Sequence, residues 1–221
     1  MYEQIIKDPI FINIMNEIGN IKFIEDGKWD WEHSTGHAIR VSSYVEQILM
    51  YLGEDDKTIE IGKVAGILHD IGLISGVKKG HAVYGSKLAR DYLEKCLYDK
   101  HDLEIIVQAI SDHSSGKNIC NNIGVALMLA DKIDVSRYRV LNSSISDEIN
   151  NQIANIKDVK IIITEKKLIV NYLTNGIFDP LILKHWNKSI LGPLKAARYL
   201  KKEYVFKIDD TIYDYSKILR I

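Results

Sequence analysis

A chain of 221 residues, 46% apolar and 27% charged, suits one domain or one domain with an appendage, and it can bury a sizeable core. Its formal net charge of −1 leaves no basic footprint, so nucleic acid is not an expected partner. Cys96 and Cys120 form no CxxC pair, which excludes a zinc knuckle or a disulfide framework, and no apolar run reaches the roughly 18 residues of a membrane-spanning helix. Met1 to Asn13 lacks a basic-then-apolar signal pattern, so the reading is a soluble, cytoplasmic protein with no membrane partner. Only three prolines occur, as expected of a mainly helical chain.

Ile5, Ile6, Ile10, Phe11, Ile14, Met15 and Ile18 recur near helical period, giving one amphipathic helix or two short ones before Gly19-Asn20. Residues 25–30 read as a polar loop. Ser34 or Thr35 then caps a helix running to Leu52, with His37 in its first turn on the face of Val41, Tyr44 and Val45. Asp56 or Thr58 starts the next helix, whose apolar positions are Ile61, Val64, Ala65 and Leu68. That helix delivers His69-Asp70, and Gly72 lets the chain turn. The loop from Ser75 to Gly80 leads to a helix that opens with His81, where Gly85 allows close approach of a neighbour. Asp102 caps a helix ending at His113. Residues 123–134 are apolar nearly all round, as in a helix buried within a bundle, except for Asp131 and Asp134.

The pattern changes after about Ser144. Ser146 to Ile156 reads as a short helix. Val159–Thr164 and Leu168–Leu173 alternate as a β-hairpin around Glu165-Lys166-Lys167. Asp179-Pro180 opens a helix to about Ile190 with Leu181, Ile182, Leu183 and Trp186 as its apolar face. Leu194–Lys201 is helical, and Tyr204–Tyr215 adds strands. The expected fold is mainly α: a helical bundle over residues 1–144 and a small α+β appendage with a β-hairpin over residues 145–221.

A lone His-Asp pair near a helix end is ordinarily a satisfied histidine beside a capping carboxylate. Here His37, His69 with Asp70, His81 and His113 all fall at helix ends, and a buried helix carries Asp131. Six nitrogen and oxygen donors at the mouth of one bundle suit two divalent ions, with iron, manganese, zinc, nickel or cobalt favoured over magnesium.

The order His37…His69-Asp70…Asp131 resembles the HD superfamily of metal-dependent phosphohydrolases. His37-Ala38-Ile39-Arg40-Val41 resembles its first ligand segment, Leu68-His69-Asp70-Ile71-Gly72 its doublet and Leu129-Ala130-Asp131 its closing aspartate. The likeness covers roughly residues 30–140, and His81 and His113 extend it to the two-metal subset. It implies one metal on His37, His69, Asp70 and Asp131, with Asp70 bridging to a second on His81 and His113. Leu73 stands where many of these hydrolases carry lysine, and Lys78 or Lys79 offers a substitute. The implied activity is hydrolysis of a nucleotide or another small phosphate ester or anhydride by metal-activated water. Asp70, Arg40 and Lys78 are its catalytic candidates, and Arg40, Lys78, Lys79 and Arg137 its substrate contacts. The alternatives are a di-iron oxygenase and a non-catalytic nucleotide-binding protein. A homodimer is compatible with the appendage.

Beside these stand the plainer readings. His33 rivals His37 for the first ligand, although the Arg-Val that follows favours His37. Asp112 and Asp134 are solvated or support the ligands. Arg40, Arg137 and Arg139 also read as surface or ion-pair residues, His101 and His185 as structural, and Trp29 and Trp31 as packing or lid residues.

Overall fold

Asp8-Pro9 divides the amino-terminal amphipathic stretch. The carboxylate of Asp8 accepts from the Ile10 amide, and Pro9 takes the first helical position, where its missing N–H costs nothing. The result is α1 (Tyr2–Ile5) and α2 (Pro9–Asn20), with Phe11, Met15 and Ile18 buried. The computed structural model describes residues 1–25, 28–29, 31–96, 99–141 and 148–219. Part of the expected polar loop (Asp26, Gly27, Asp30), the pattern change at Ser144 and the helix start at Ser146 lie outside these residues. So do the side chains of Trp29, His185 and Trp186. Where a loop was expected, Ile24–Glu25 (β1) pairs antiparallel with Lys28–Trp29 (β2).

The chain divides into two units, Met1–Asp131 and Lys132–Ile221. In the first, α3 (Thr35–Tyr51) and α4 (Asp56–Leu68) pack closely because α4 presents glycine at the contact. A Cβ on Gly66 would come within 2.8 Å of the Ser42 Cα, so only glycine lets the two backbones meet there. Asp55 is the cap of α4 and accepts from the Thr58 amide. A short 3₁₀ turn, Ile71–Ser75, continues beyond the doublet. Gly72 therefore serves packing rather than the expected turn: a Cβ there would overlap the His81 carbonyl and lie 2.5 Å from the Gly85 nitrogen. This brings α5 (His81–Lys95) against the doublet, as Gly85 suggests.

The helix α6 (Lys100–Asp112) is capped by Asp99, which accepts from the amides of His101 and Asp102. Asp102 was expected in that role. It lies one turn inside, buried, and pairs with Lys57 at 3.0 Å. The all-apolar pattern of α7 (Asn122–Ile133) reflects full burial of Val125, Ala126, Leu127, Leu129 and Ala130.

In the second unit, α8 (Glu148–Ile153) precedes β3 (Ile156–Ile163) and β4 (Lys167–Thr174), which form the expected antiparallel hairpin. After the Asp179 cap the chain takes a 3₁₀ turn, Pro180–Trp186, and then α9 (Lys188–Tyr199), so the expected single helix to Ile190 is broken at Asn187. Pro193 inside α9 has no N–H for the Ser189 carbonyl one turn back. The hydroxyl of buried Tyr172 donates to that carbonyl instead, at 3.4 Å. The helix crosses from β4 to a parallel β5 (Glu203–Ile208), and β6 (Thr211–Ile212) closes the sheet in the order β3-β4-β5-β6. Asp209 and Asp210 both adopt positive φ in the two-residue turn, the backbone such a hairpin requires. Tyr215–Leu219 forms α10. Among the described residues no helix is long and apolar enough to cross a membrane.

Candidate metal centre

Helix ends of the first unit bring the six expected donors together. His37 comes from the first turn of α3, His69 from the end of α4, and Asp70 starts the 3₁₀ turn. His81 opens α5, His113 closes α6, and Asp131 comes from α7. The two oxygens of Asp70 face different partners. Its Oδ2 lies 3.6 Å from His37 Nε2 and 3.4 Å from His69 Nε2, and its Oδ1 lies 3.3 Å from His81 Nε2 and 3.7 Å from His113 Nε2. Asp131 Oδ1 sits 3.5 Å from His37 Nε2 and 3.8 Å from His69 Nε2. Donor atoms of His37, His69 and Asp131, and again of His69, Asp70 and His113, all fall within 4.8 Å of one another.

The backbone fixes which nitrogen of three imidazoles is available. His69 Nδ1 donates to the Gly66 carbonyl at 2.8 Å, His81 Nδ1 to that of Lys78 at 2.7 Å, and His113 Nδ1 to that of Ile110 at 2.6 Å. A carbonyl oxygen only accepts, so Nδ1 carries a proton, and each ring when neutral turns its lone pair at Nε2 inward. His81 and His113 then place two Nε2 lone pairs 3.2 Å apart, and His69 Nε2 lies 3.2 Å from His37 Nε2. Facing lone pairs repel unless a cation is shared between them. The donor set therefore fits divalent metal, and the nitrogen-rich mixture suits a transition ion better than magnesium.

Electrostatics point the same way. Burial raises the Asp70 carboxyl, but the charges of His69 and His33 and the hydrogen bond from His33 outweigh it and hold the group well below the usual carboxylate range. For His69 burial favours the neutral ring, yet Asp70 and Asp131 prevail and raise it. For His113 burial prevails and keeps the ring neutral to lower pH. The floor of the site is buried, while His33, His81 and Asp131 retain 11%, 13% and 13% side-chain exposure and form its mouth.

His33 is more than a rival for the first ligand: it joins His37 in the cluster. Its Nδ1 is 2.8 Å from Asp70 Oδ2, and its ring meets those of Phe23 and His37 edge-on. The segment is anchored on both sides. Trp31 is buried, and Glu32 accepts from the Ser34 amide and hydroxyl and pairs with Arg40 at 3.1 Å. The spacing of His33 one helical turn before His37 was the available signal, although Ser34 caps α3 and His33 lies outside the helix.

The expected substrate contacts are less concentrated. The guanidinium of Arg40 is engaged by Glu32. Lys78 holds His81 through its carbonyl, Lys79 is exposed on the same loop, and Arg137 is exposed in the second unit. Asp112 is buried and accepts from Asn118, while Asp134 is buried and faces Arg139 at 3.5 Å.

Residues 35–136 match the HD domain family. This segment is similar to HD domains. It contains all six expected donors, and His33 stands just before it. Ribonuclease Y of Mycoplasma mycoides is 32% identical over 132 residues, covering 59% of this chain and 28% of that protein. Ribonuclease Y of Enterococcus faecalis is 26% identical over 125 residues, covering 56% of this chain and 22% of that protein. The chain thus spans about a quarter of the length of these relatives. The crystal structure of a predicted HD superfamily hydrolase from an uncultured Thermotogales bacterium matches with a TM-score of 0.42 and 24% identity, over 61% of this chain and 73% of that one.

The exclusion of nucleic acid drawn from net charge is overturned by relatives that are ribonucleases by name. The charge of −1 is a sum over unlike parts. Residues 1–131 hold 13 Lys+Arg against 20 Asp+Glu, and residues 132–221 hold 16 against 10.

Proposed function

We propose that the chain is a metal-dependent phosphohydrolase acting on phosphodiester bonds of RNA. The observation that carries the reading is Asp70, whose two oxygens each face a separate pair of histidines. The ribonuclease relatives support the substrate class. His37, His69, Asp70 and Asp131 would hold one divalent ion, and Asp70, His81 and His113 a second, iron or manganese in preference to magnesium. Such a pair, when bound, supplies a water of lowered pKa and positive charge at a phosphoryl oxygen.

The chain's own groups do the rest. Asp70 bridges the two halves of the site. The three Nδ1–H bonds to backbone carbonyls hold the imidazoles in the inward-facing tautomer, so no reorientation is needed at the moment of reaction. His33 holds a proton at Nδ1 against Asp70 Oδ2 and fixes the carboxylate plane. Lys78 and Lys79 supply cationic groups on the loop before His81 as candidate contacts for a phosphate oxygen. Buried His69 and His113 keep bulk water from the floor.

The test is cleavage of a 5′-labelled RNA oligonucleotide by protein loaded anaerobically with Fe²⁺ or Mn²⁺, with bis(p-nitrophenyl) phosphate as a small control ester. Metal-dependent cleavage of both is expected. Asp70→Asn should lower it by at least about a hundredfold, more than the loss of a residue that only supports a ligand. Loaded protein that cleaves neither compound overturns the proposal.

A further inference from the structure

The second unit carries a continuous run of positive charge that the HD chemistry does not use. From Pro180 to Lys202 there is no Asp or Glu, while Lys184, Lys188, Lys195, Arg198, Lys201 and Lys202 all fall in this stretch. The sequence of α9 explains where they point. Its Ser189, Ile190, Gly192, Pro193, Ala196 and Ala197 are buried, and the helix packs on β4 and β5. Lys188, Lys195 and Arg198, at helical spacing, are left on the exposed face with Tyr199, which is 39% exposed.

The end of α9 joins a second basic element. Because β4 and β5 run parallel, the turn before β4 and the loop before β5 lie at the same end of the sheet, with Lys167 in register with Glu203. The Glu203 amide donates to the Lys166 carbonyl at 2.8 Å. Lys202 Nζ donates to the carbonyls of Thr164 at 2.7 Å and Glu165 at 2.9 Å, locking turn and loop together. Lys166, Lys167 and Lys201 are exposed around this junction, where the acids are Glu165 and Glu203. The backbone of Lys201 sits at φ 55, an uncommon conformation for a side-chain-bearing residue.

We propose that the outward face of α9 together with the Lys166-Lys167 turn binds the phosphate backbone of single-stranded RNA. The twelve residues of α9 span about 18 Å, enough to follow several phosphates. A row of cations with an exposed tyrosine is the combination that holds single strands, backbone on the charges and a base on the ring. An anionic membrane would meet the same charges, but the face offers one aromatic ring and no row of apolar residues to enter a bilayer. The inference rests on the RNA reading for its ligand and not on the metal site for its geometry.

The experiment measures binding of a fluorescein-labelled 20-nucleotide oligo(U) to the full chain by anisotropy over a series of salt concentrations. Parallel arms use phosphatidylserine vesicles and hydrolysis of bis(p-nitrophenyl) phosphate. The triple variant Lys166→Glu, Arg198→Glu, Lys201→Glu should weaken RNA binding at least about tenfold. It should also flatten the salt dependence by about 2 in log–log slope for three lost phosphate contacts. Hydrolysis of the small ester should stay unchanged, which shows that the variant is folded. Tyr199→Ala should weaken binding without changing the slope. Equal affinity and slope in parent and triple variant overturn the proposal, as does parent protein that binds the vesicles and not the RNA. If the parent binds RNA through these residues but cleaves no phosphodiester, the surface stands and the enzymatic reading falls.

Discussion

The carboxylate of Asp70 lies within 4 Å of a nitrogen of five histidines, and each contact asks something different of it. Four of those nitrogens are ligand candidates. The fifth, on His33, is a hydrogen-bond donor at the mouth. Removing it should loosen the carboxylate without removing a ligand, so His33→Ala should lower metal affinity or turnover by about 10- to 100-fold. Metal titration and kinetics on the control ester would show this, and a variant equal to the parent in both would make His33 a packing residue. The histidines also set a pH dependence. His69 is raised from the imidazole value of 6.5, so near that pH the metal-free ring is mostly protonated, and a metal must displace the proton. His113 is lowered and gives up no proton there. Metal binding near pH 6.5 should therefore release the His69 proton, with this release fading as pH rises through the raised value. Calorimetry in buffers of different ionisation enthalpy reads this directly. The six donors were legible in the sequence because histidine and aspartate at helix ends are chemically out of place in an apolar stripe. The position of His33 depends on how the loop before α3 is anchored by Trp31 and Glu32, and no local pattern records that.

At the scale of elements, the centre exists because glycines let backbones meet. Gly66 allows α4 to cross α3 at Ser42, which sets His69 beside His37, and Gly72 allows α5 to lie on the 3₁₀ turn, which sets His81 beside Asp70. Gly72→Ala should force the start of α5 away and move His81. The expected outcome is loss of one bound ion of two, with the site of His37, His69 and Asp131 retained. Metal counting after dialysis checks it, and two ions retained at parent affinity would show that α5 does not set the second site. The first-unit helices and the hairpin followed from periodicity, and Asp179-Pro180 marked a start, although of a 3₁₀ turn and not of the expected helix to Ile190. The start at Asp8-Pro9 was not read from the sequence. The cap of α6 was misassigned because Asp99 and Asp102 are both good caps by residue type. What separates them is that Lys57, distant in sequence, draws Asp102 into an ion pair. Likewise, nothing local in Leu181–Ile190 announces the break at Asn187, and the carbonyl orphaned by Pro193 is answered by Tyr172 from another element.

At the scale of the whole chain, net charge was the least informative number, because it averages an acidic unit with a basic one. The candidate ligands are distributed in the opposite way: all six fall in Met1–Asp131 at the ends or turns of helices, and His33 lies in the same unit just before α3. The metal-free first unit must bury Asp70 beside His81 and His113, whose Nε2 lone pairs face each other at 3.2 Å, a cost its apolar core has to offset. Bound metal removes that cost and ties the five helix ends together. At a free metal concentration about 100 times the dissociation constant, the linkage is worth about 2.7 kcal/mol. Chelation should therefore lower the melting temperature measurably. It should also speed amide exchange most at the start of α3, the end of α4, the start of α5 and the end of α6, where the ligands sit. Hydrogen exchange followed by mass spectrometry, with and without Mn²⁺, locates the effect. Protection gained evenly along α3 to α7, or a melting temperature indifferent to metal and chelator alike, would show that these helix ends are held by packing alone.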